Sequence, residues 1–308
     1  MVSLRYQDKG TVIHRINPFC KLLWITSVLV FALIFNNPIY ILLLFLSTLP
    51  LIIVARVVKE WASVMKFTFF LCLAIIIINA LVSQHGTHIL FEAPFHLPVI
   101  GTPVITLEAI FFGIVMSLRM LTIISAFTLI TFTIHPDDLM VSMIKLKVPY
   151  KSVLVTSLST RFIPTLIDDM ECISAVQRSR GLELDKGHLQ QRIKSRALII
   201  IPLLSNSLDR AVQVSEAMES RAFGSGEKRT FYKETKVSQI DVITLLFGVL
   251  TLVFGIFLSL SGHGDYQYYP TLTPVNMDAM GWVMLVILMF LLLSIILFAF
   301  VKRRFDLD

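Results

Sequence analysis

The stretch SLRMLTIISAFTLITFTIHPDDLMVSMIKLKVPY, from Ser117 to Tyr150, decides the architecture of this chain. It begins inside a long apolar run and passes at His135 into a polar, basic region that continues to Val237. An apolar run of about 17–25 residues is sufficient to cross the hydrocarbon core of a bilayer as a helix. The sequence therefore predicts a membrane-spanning helix followed by a large insertion outside the membrane.

The composition supports an integral membrane protein. Of 308 residues, 56% are hydrophobic and 16% are charged, whereas soluble domains contain about 25% charged residues. We predict an all-α integral membrane protein with about six transmembrane helices and a cytoplasmic helical domain inserted between spans four and five. The predicted regions are residues 1–136, 137–237 and 238–308. The predicted spans are Leu22–Phe35, Ile39–Val54, Phe67–Val82, Ile110–Ile134, Ile240–Leu260 and Trp282–Val301.

The basic residues indicate the orientation in the membrane. Of the 27 Lys and Arg residues, only Arg119 lies inside a predicted span, and none lies in the connections 36–38, 83–108 and 261–281. All the others lie at the two termini, between spans two and three, or in the insertion. Because cytoplasmic loops are enriched in Lys and Arg, we expect both termini and the insertion to face the cytoplasm. The chain is expected in the cell membrane of a prokaryote.

Several classes of function lack the residues that they need. Away from their first and last turns, the predicted spans contain no Asp or Glu, so they provide no acidic relay of the kind found in secondary transporters. Arg119, the intramembrane charge, is expected to bind a backbone carbonyl or to reach an interface, which is a structural role. HExxH, GxSxG and the nucleotide loop GxxxxGK[ST] are absent, and the three cysteines lie far apart. We therefore expect no catalytic residue, no metal site and no bound cofactor.

The insertion contains two amphipathic helices with the same plan. Each contains a proline: Pro164 is expected to bend or divide the first helix, and Pro202 is expected near the start or at a bend of the second. The first ends in AVQRSRG, at Arg180, and the second ends in MESRAFG, at Arg221. Gly181 stands where a left-handed glycine commonly closes a helix. The apolar stripes of these helices, with steps of three and four, include Leu158, Phe162, Leu166, Met170, Leu204, Leu208 and Met218.

Two roles for the terminal arginines remain open on chemistry alone. An arginine in the last helical turn stabilises the negative end of the helix dipole by about 0.3–1 kcal/mol and needs no partner. An arginine also offers a planar fork to a carboxylate and is favoured at protein interfaces. The basic surface could instead bind membrane lipid. Nucleic acid is disfavoured as a partner, because the insertion has no aromatic platform.

The chain resembles the transmembrane T component of energy-coupling factor (ECF) transporters. The motifs SRG (Ser179–Gly181) and SRA (Ser220–Ala222) are similar to the paired Ala-Arg-Gly motifs that end two cytoplasmic helices in that family. Serine replaces the first alanine in both motifs, and Ala222 replaces the glycine in the second. The resemblance also includes IHRINPFCKLLW (Ile13–Trp24), the opening stretch Ser117–Tyr150, and STRFIPTLIDDMECISAVQRSRG (Ser159–Gly181).

This resemblance implies a scaffold that works with partner subunits and has the cytoplasmic insertion as its coupling domain. In that family two ABC-type ATPases lie below the T component, and a substrate-binding membrane protein, the S component, lies beside it. Residues Ser179, Arg180, Gly181, Ser220, Arg221 and Ala222 would dock the ATPases, and the apolar stripes would contact the S component. ATP used by the partners would drive uptake of a vitamin or a transition-metal ion. The alternatives are a membrane-anchored adaptor that binds lipid or an acidic partner, and a membrane enzyme, which the missing catalytic residues disfavour.

Overall fold

The computed structural model divides the chain into two compact units. The membrane unit contains Met1–Leu139 and Thr235–Asp308, and the insertion unit contains Met140–Glu234. Of residues 189–195 only the backbone is described. The described residues are 9–14, 16–83, 86–92, 104–135, 138–140, 142, 148–181, 189–226, 238–274 and 278–305.

Every predicted span coincides with a helix of the membrane unit. The third helix, α3, begins at Val58, well before the predicted Phe67. Its first turns contain Lys59 and Glu60 and are too polar to be recognised as part of an apolar run. The sequence did not predict a short antiparallel ribbon of two strands, β1 (Ile89–Glu92) and β2 (Val104–Thr106). The helices are α1 (Pro18–Ile34), α2 (Pro38–Val54), α3 (Val58–Val82), α4 (Leu107–Thr133), α7 (Gln239–Leu260) and α8 (Ala279–Phe305).

The helices differ in how far they can reach across a bilayer. By length and composition, α3, α4, α7 and α8 could each span it, and so could Arg196–Ser220 in the insertion unit. Helices α1 and α2 have 17 residues each, which corresponds to about 25 Å. They form a short hairpin, and each begins with Asn-Pro. The side chains of Asn17 and Asn37 accept hydrogen bonds from the amides two residues later and so cap the two helices.

The connection after α7 covers the turn of this short hairpin. The carbonyl of Gly264 accepts hydrogen bonds from the amides of Asn36 (2.8 Å) and Asn37 (3.0 Å), and the Tyr268 hydroxyl donates to the Asn36 carbonyl. From α4, Arg119 donates to the Phe35 carbonyl at 2.8 Å. The intramembrane arginine therefore binds a backbone carbonyl, the first of the two alternatives that the sequence left open. These contacts satisfy the polar backbone of a turn that lies at the level of the membrane.

Helix α1 lies at the centre of the membrane unit and packs against α2, α4 and α7. Its Trp24 indole donates to the Leu292 carbonyl of α8 at 3.0 Å, and Phe31 is fully buried. Two glycines of α7 allow the close approach to α1. A Cβ at Gly255 would lie 2.2 Å from the Phe31 ring, and one at Gly248 would lie 2.7 Å from the end of the Leu23 side chain. Small residues commonly permit such contacts between membrane helices.

We predict that Gly255→Ala lowers the free energy of unfolding of the membrane unit by about 1–3 kcal/mol, because the buried Phe31 ring has no space to yield. Gly248→Ala is the matched control, since the Leu23 side chain is half-buried and can rotate away. Thermal unfolding of the detergent-purified chain measures both variants. Equal midpoints for Gly255→Ala and the unsubstituted chain would contradict the packing described above.

Candidate functional site

The insertion unit is built on two long antiparallel helices, α5 (Tyr150–Ser179) and α6 (Leu189–Ser220). The Tyr150 ring at the start of α5 lies 6.3 Å from the ring of Phe223, just beyond the end of α6. Further along, Arg210 and Asp169 form an ion pair at 2.9 Å. From Tyr150 to Asp169 the chain advances along α5, whereas the corresponding partners, Phe223 and Arg210, lie in reverse order along α6 and the residues just beyond it. The two helices therefore run in opposite directions.

Both helices continue through their prolines. Pro164 lies inside the 30 residues of α5, and Pro202 lies inside the 32 residues of α6. The expectation that Pro164 could divide its helix was therefore wrong, and α6 begins well before Pro202 rather than near it. Each proline removes one backbone donor, but the remaining hydrogen bonds and the partner helix maintain the helix. A bend at these positions stays a prediction.

The first arginine motif forms the end of α5. The Ser179 hydroxyl donates to the Val176 carbonyl at 2.7 Å, and the Gly181 amide donates to the Arg178 carbonyl at 3.0 Å. Gly181 has a φ of 85°, in the left-handed region. Gly181 thus ends the helix directly after Arg180, in a conformation that a residue with a side chain would adopt only at a cost.

The second motif ends α6 with the same geometry. The Ser220 hydroxyl donates to the Ala217 carbonyl at 3.1 Å, and the Phe223 amide donates to the Met218 carbonyl at 3.0 Å. Ala222 has a φ of 57°, so an alanine occupies the left-handed position that Gly181 occupies in the first motif. This conformation costs a non-glycine residue about 1–2 kcal/mol. The turn thus favours the glycine of the first motif, and in the second motif Ala222 adopts it at a cost in conformational energy.

The two arginines lie at opposite ends of the helix pair. Since α5 and α6 are antiparallel and α5 has 30 residues, its length puts about 45 Å between the two ends. Arg180 and Arg221 are both exposed, and no ion pair within the described part of the chain involves either of them. Their guanidinium groups are thus available to an acidic partner.

The predicted apolar stripes divide into a half-buried part and an exposed part. Leu158, Phe162, Leu166 and Met218 are half-buried. Met170, Leu204 and Leu208 are exposed, and they belong to a larger set of exposed apolar side chains on α5 and α6. That set also contains Val155, Ile163, Ile167, Ile200, Ile201 and Val212.

The segment from His14 to the first turn of α1 caps the membrane helix that leads to the insertion. Lys21, which is 6% exposed, donates to the carbonyl of Thr133 at 2.8 Å and to that of His14 at 3.2 Å. The His14 ring lies 3.2 Å from the Phe132 carbonyl. Thr133 is the last residue of α4, where helix carbonyls have no partner within the helix. The motif IHRINPFCKLLW thus supplies donors to the end of α4.

The same segment contacts the helix that follows the insertion. Near the start of α7, Asp241 is 3% exposed and both of its oxygens accept from Lys302 of α8, at 2.8 and 2.9 Å. The Ser238 amide also donates to Asp241 at 3.2 Å, which caps α7. The Cys20 thiol donates to the Asp241 carbonyl at 3.5 Å. Cys20 and its neighbour Lys21 therefore contact the two helices that flank the insertion, and we call these contacts the α1 clamp.

Sequence analysis missed two buried acids, Asp241 and Glu108. Glu108 is fully buried in the first turn of α4, where it accepts from the His88 amide and the Thr87 hydroxyl, each at 3.1 Å. Asp241 lies in the first turn of one predicted span and Glu108 lies two residues before another, so neither counts as an acid in the interior of a span. An acid in the first turn of a helix after a serine or threonine N-cap was the available signal.

The fold and the site define a multi-pass membrane protein with a helical insertion that has an arginine motif at each end. Residues 9–232, which include both motifs, match the CbiQ family, described as cobalt transport protein. The chain is also similar to curated transmembrane proteins named EcfT of energy-coupling factor transporters. Those of Streptococcus equi subsp. equi (strain 4047) and Lactococcus lactis subsp. cremoris (strain MG1363) are each 31% identical over 82% of this chain, covering 94% and 97% of their own lengths. That of Bacillus subtilis (strain 168) is 29% identical over 82% of this chain and 97% of its own length.

The chain therefore belongs to the EcfT/CbiQ family of transmembrane components of ECF transporters. This confirms the resemblance observed in the sequence and the prediction of an all-α, multi-pass bacterial membrane protein. The family consists of non-catalytic transporter components that bind no cofactor themselves.

We predict that Lys21→Met lowers the free energy of unfolding by about 1–3 kcal/mol, because the carbonyls of His14 and Thr133 lose their shared donor while methionine preserves the shape. Lys66→Met is the control for loss of a lysine, since Lys66 is exposed on α3. Thermal unfolding of the purified chain measures both. An unchanged midpoint for Lys21→Met, or an equal decrease in the control, would contradict the importance of the clamp.

Proposed function

We propose that this chain couples ATP-driven motion of two cytoplasmic ATPases to an S component that imports a vitamin or a transition-metal ion. The arrangement of the arginine motifs carries this proposal. Two equivalent helix ends, about 45 Å apart, suit two copies of one kind of partner better than they suit a single binding groove. Capping of the helix ends alone would not require both guanidinium groups to be exposed and without an acidic neighbour.

Each motif suits insertion into a groove of a partner. The left-handed residue after each arginine ends the helix, so that Arg180 and Arg221 stand at the tips of their helices. The serine before each arginine has its hydroxyl bonded to its own helix and leaves the arginine as the polar group that is free to bind. A carboxylate in the groove would form a bidentate contact with the guanidinium fork.

The exposed apolar side chains of α5 and α6 support contact with a second membrane protein. Met170, Leu204 and Leu208 belong to a set that is larger than isolated surface residues require. We propose that this surface receives the S component. The absence of Lys and Arg from three connections supports an orientation with the insertion and both termini in the cytoplasm, where ATP is available.

The α1 clamp suits the transmission of force. A unit that transmits motion needs a fixed structure to act against. The two helices that flank the insertion both contact the segment Cys20–Lys21 and could form such a structure. Motion of the ATPases would therefore tilt α5 and α6 without separating α4 from α7. Bends at Pro164 and Pro202 would give each helix a position at which to flex.

We predict that Arg180→Glu combined with Arg221→Glu abolishes ATP-driven uptake and releases the ATPases, while the chain still inserts into the membrane. A carboxylate placed in a groove that binds a cation costs several kcal/mol of affinity. The measurement is co-purification of the ATPases in mild detergent together with uptake by whole cells. Arg178→Glu and Arg196→Glu are the controls, because both residues are exposed on the same two helices and lie outside the motifs.

Retention of both ATPases and of normal uptake by the double variant would contradict the proposal. Equal loss of the ATPases and of uptake in the control variants would also contradict it. Retained ATPases with abolished uptake would contradict the docking role of the arginines. Purification of the unsubstituted chain without any ATPase would favour the membrane-anchored adaptor.

A further inference from the structure

A basic pocket lies in the membrane unit at the end of the seam between α2 and α8. It has a volume of about 310 Å³ and is lined by the segment before α1, the end of α2 and the end of α8. Lys9, Arg56 and Arg303 provide its charged side chains, and Ile53 and Phe300 are among its apolar side chains. Because α2 and α8 both end here, the pocket lies at the level where membrane helices meet water.

Arg56 is held in this pocket by an unusual helix end. The amide of Val57 donates to the Ile52 carbonyl at 3.2 Å, which closes α2 with a Schellman motif, and Arg56 occupies its left-handed position with a φ of 57°. Glycine is the usual residue at this position because it avoids the strain. The Lys9 ammonium donates to the Arg56 carbonyl at 2.9 Å and stabilises the turn. An arginine thus stands where the local backbone favours glycine, and its side chain lines the pocket.

The pocket contains an excess of positive charge. Lys9 forms an ion pair with Glu60 at 2.7 Å, so these two charges compensate each other. Lys302, next to Arg303, is paired with Asp241. Arg56 and Arg303 are exposed, and neither forms an ion pair with any residue that the structure describes. Two guanidinium groups without an acidic partner among the described residues therefore line one pocket.

A separate apolar groove lies further along the same two helices and has a volume of about 540 Å³. The described side chains that line it are all apolar: Ile39, Leu42, Leu43 and Leu46 from α2, and Leu285, Val286, Met289, Phe290 and Leu293 from α8. The two helices run parallel, because the groove is lined by earlier residues of both helices and the basic pocket by later residues of both. From Leu46 to Ile53 a helix advances about 10 Å, so the pocket and the groove lie within the reach of one acyl chain.

We propose that the seam between α2 and α8 binds an anionic phospholipid, with its phosphate on Arg56 and Arg303 and an acyl chain directed toward the groove. The guanidinium fork matches a phosphate in geometry and charge. The apolar groove distinguishes a lipid from free phosphate, which would gain nothing from it. Basic pockets between membrane helices are a known kind of site for anionic headgroups. The site is separate from the arginine motifs and does not depend on their role.

The test measures lipid retention by native mass spectrometry on the chain with whatever subunits co-purify. The protein is placed in nanodiscs of phosphatidylglycerol and phosphatidylcholine in equal amounts and is then released into detergent. We expect the unsubstituted protein to retain phosphatidylglycerol in preference to phosphatidylcholine. Arg56→Gly with Arg303→Gln should reduce this preference about tenfold or more. Glycine at position 56 relieves the left-handed strain, so this variant keeps the end of α2 intact.

Arg304→Gln is the matched control, because Arg304 is exposed on the same helix and does not line the pocket. It should leave the preference unchanged. Equal retention of the two lipids by the unsubstituted protein, or an unchanged preference in the double variant, would overturn the proposal. Displacement of the lipid by inorganic phosphate would show a phosphate site instead of a lipid site. If the chain alone retained lipid but the chain with its partner subunits did not, a partner helix would occupy the seam in place of the lipid.

Discussion

The buried ammonium group of Lys21 connects the chain segment before α1 to the last carbonyl of α4. A buried lysine is stabilised only when its donors find acceptors, and here the carbonyls of His14 and Thr133 provide them. The neighbouring Cys20 contacts Asp241 at the start of α7. One turn of α1 therefore contacts both helices that flank the insertion. A helical unit that must transmit motion needs such a common base, because two independently moving ends would absorb the motion.

The two ends of the helix pair show how different sequences reach one geometry. Gly181 and Ala222 both adopt the left-handed conformation, and the preceding serines both bond to their own helices. Alanine accepts a strain at position 222 that glycine would avoid. The shared turn matters more than the identity of the residue, since it brings Arg180 and Arg221 to the tips of α5 and α6. An arginine that served only to stabilise a helix dipole would not require this turn.

Much of the fold could be predicted because it depends on local signals. The long apolar runs gave the positions of the membrane helices, although the Asn-Pro pairs at which α1 and α2 begin lay outside the predicted spans. Gly181 marked the end of α5. The antiparallel arrangement of α5 and α6 could not be predicted, because it depends on contacts such as Arg210 with Asp169 that are distant in sequence. The same reason applies to the α1 clamp and to the burial of Asp241, whose partner Lys302 lies in the last helix.

The central claim is that each arginine motif contacts a different ATPase. The most direct measurement places a photo-activated cross-linker on a cysteine introduced at Ser179, at Ser220, or at both, with the exposed Cys172 replaced by serine. Each single variant should capture one ATPase subunit per chain, and the double variant should capture two. Capture of only one subunit by the double variant, or of none from either position, would contradict the claim.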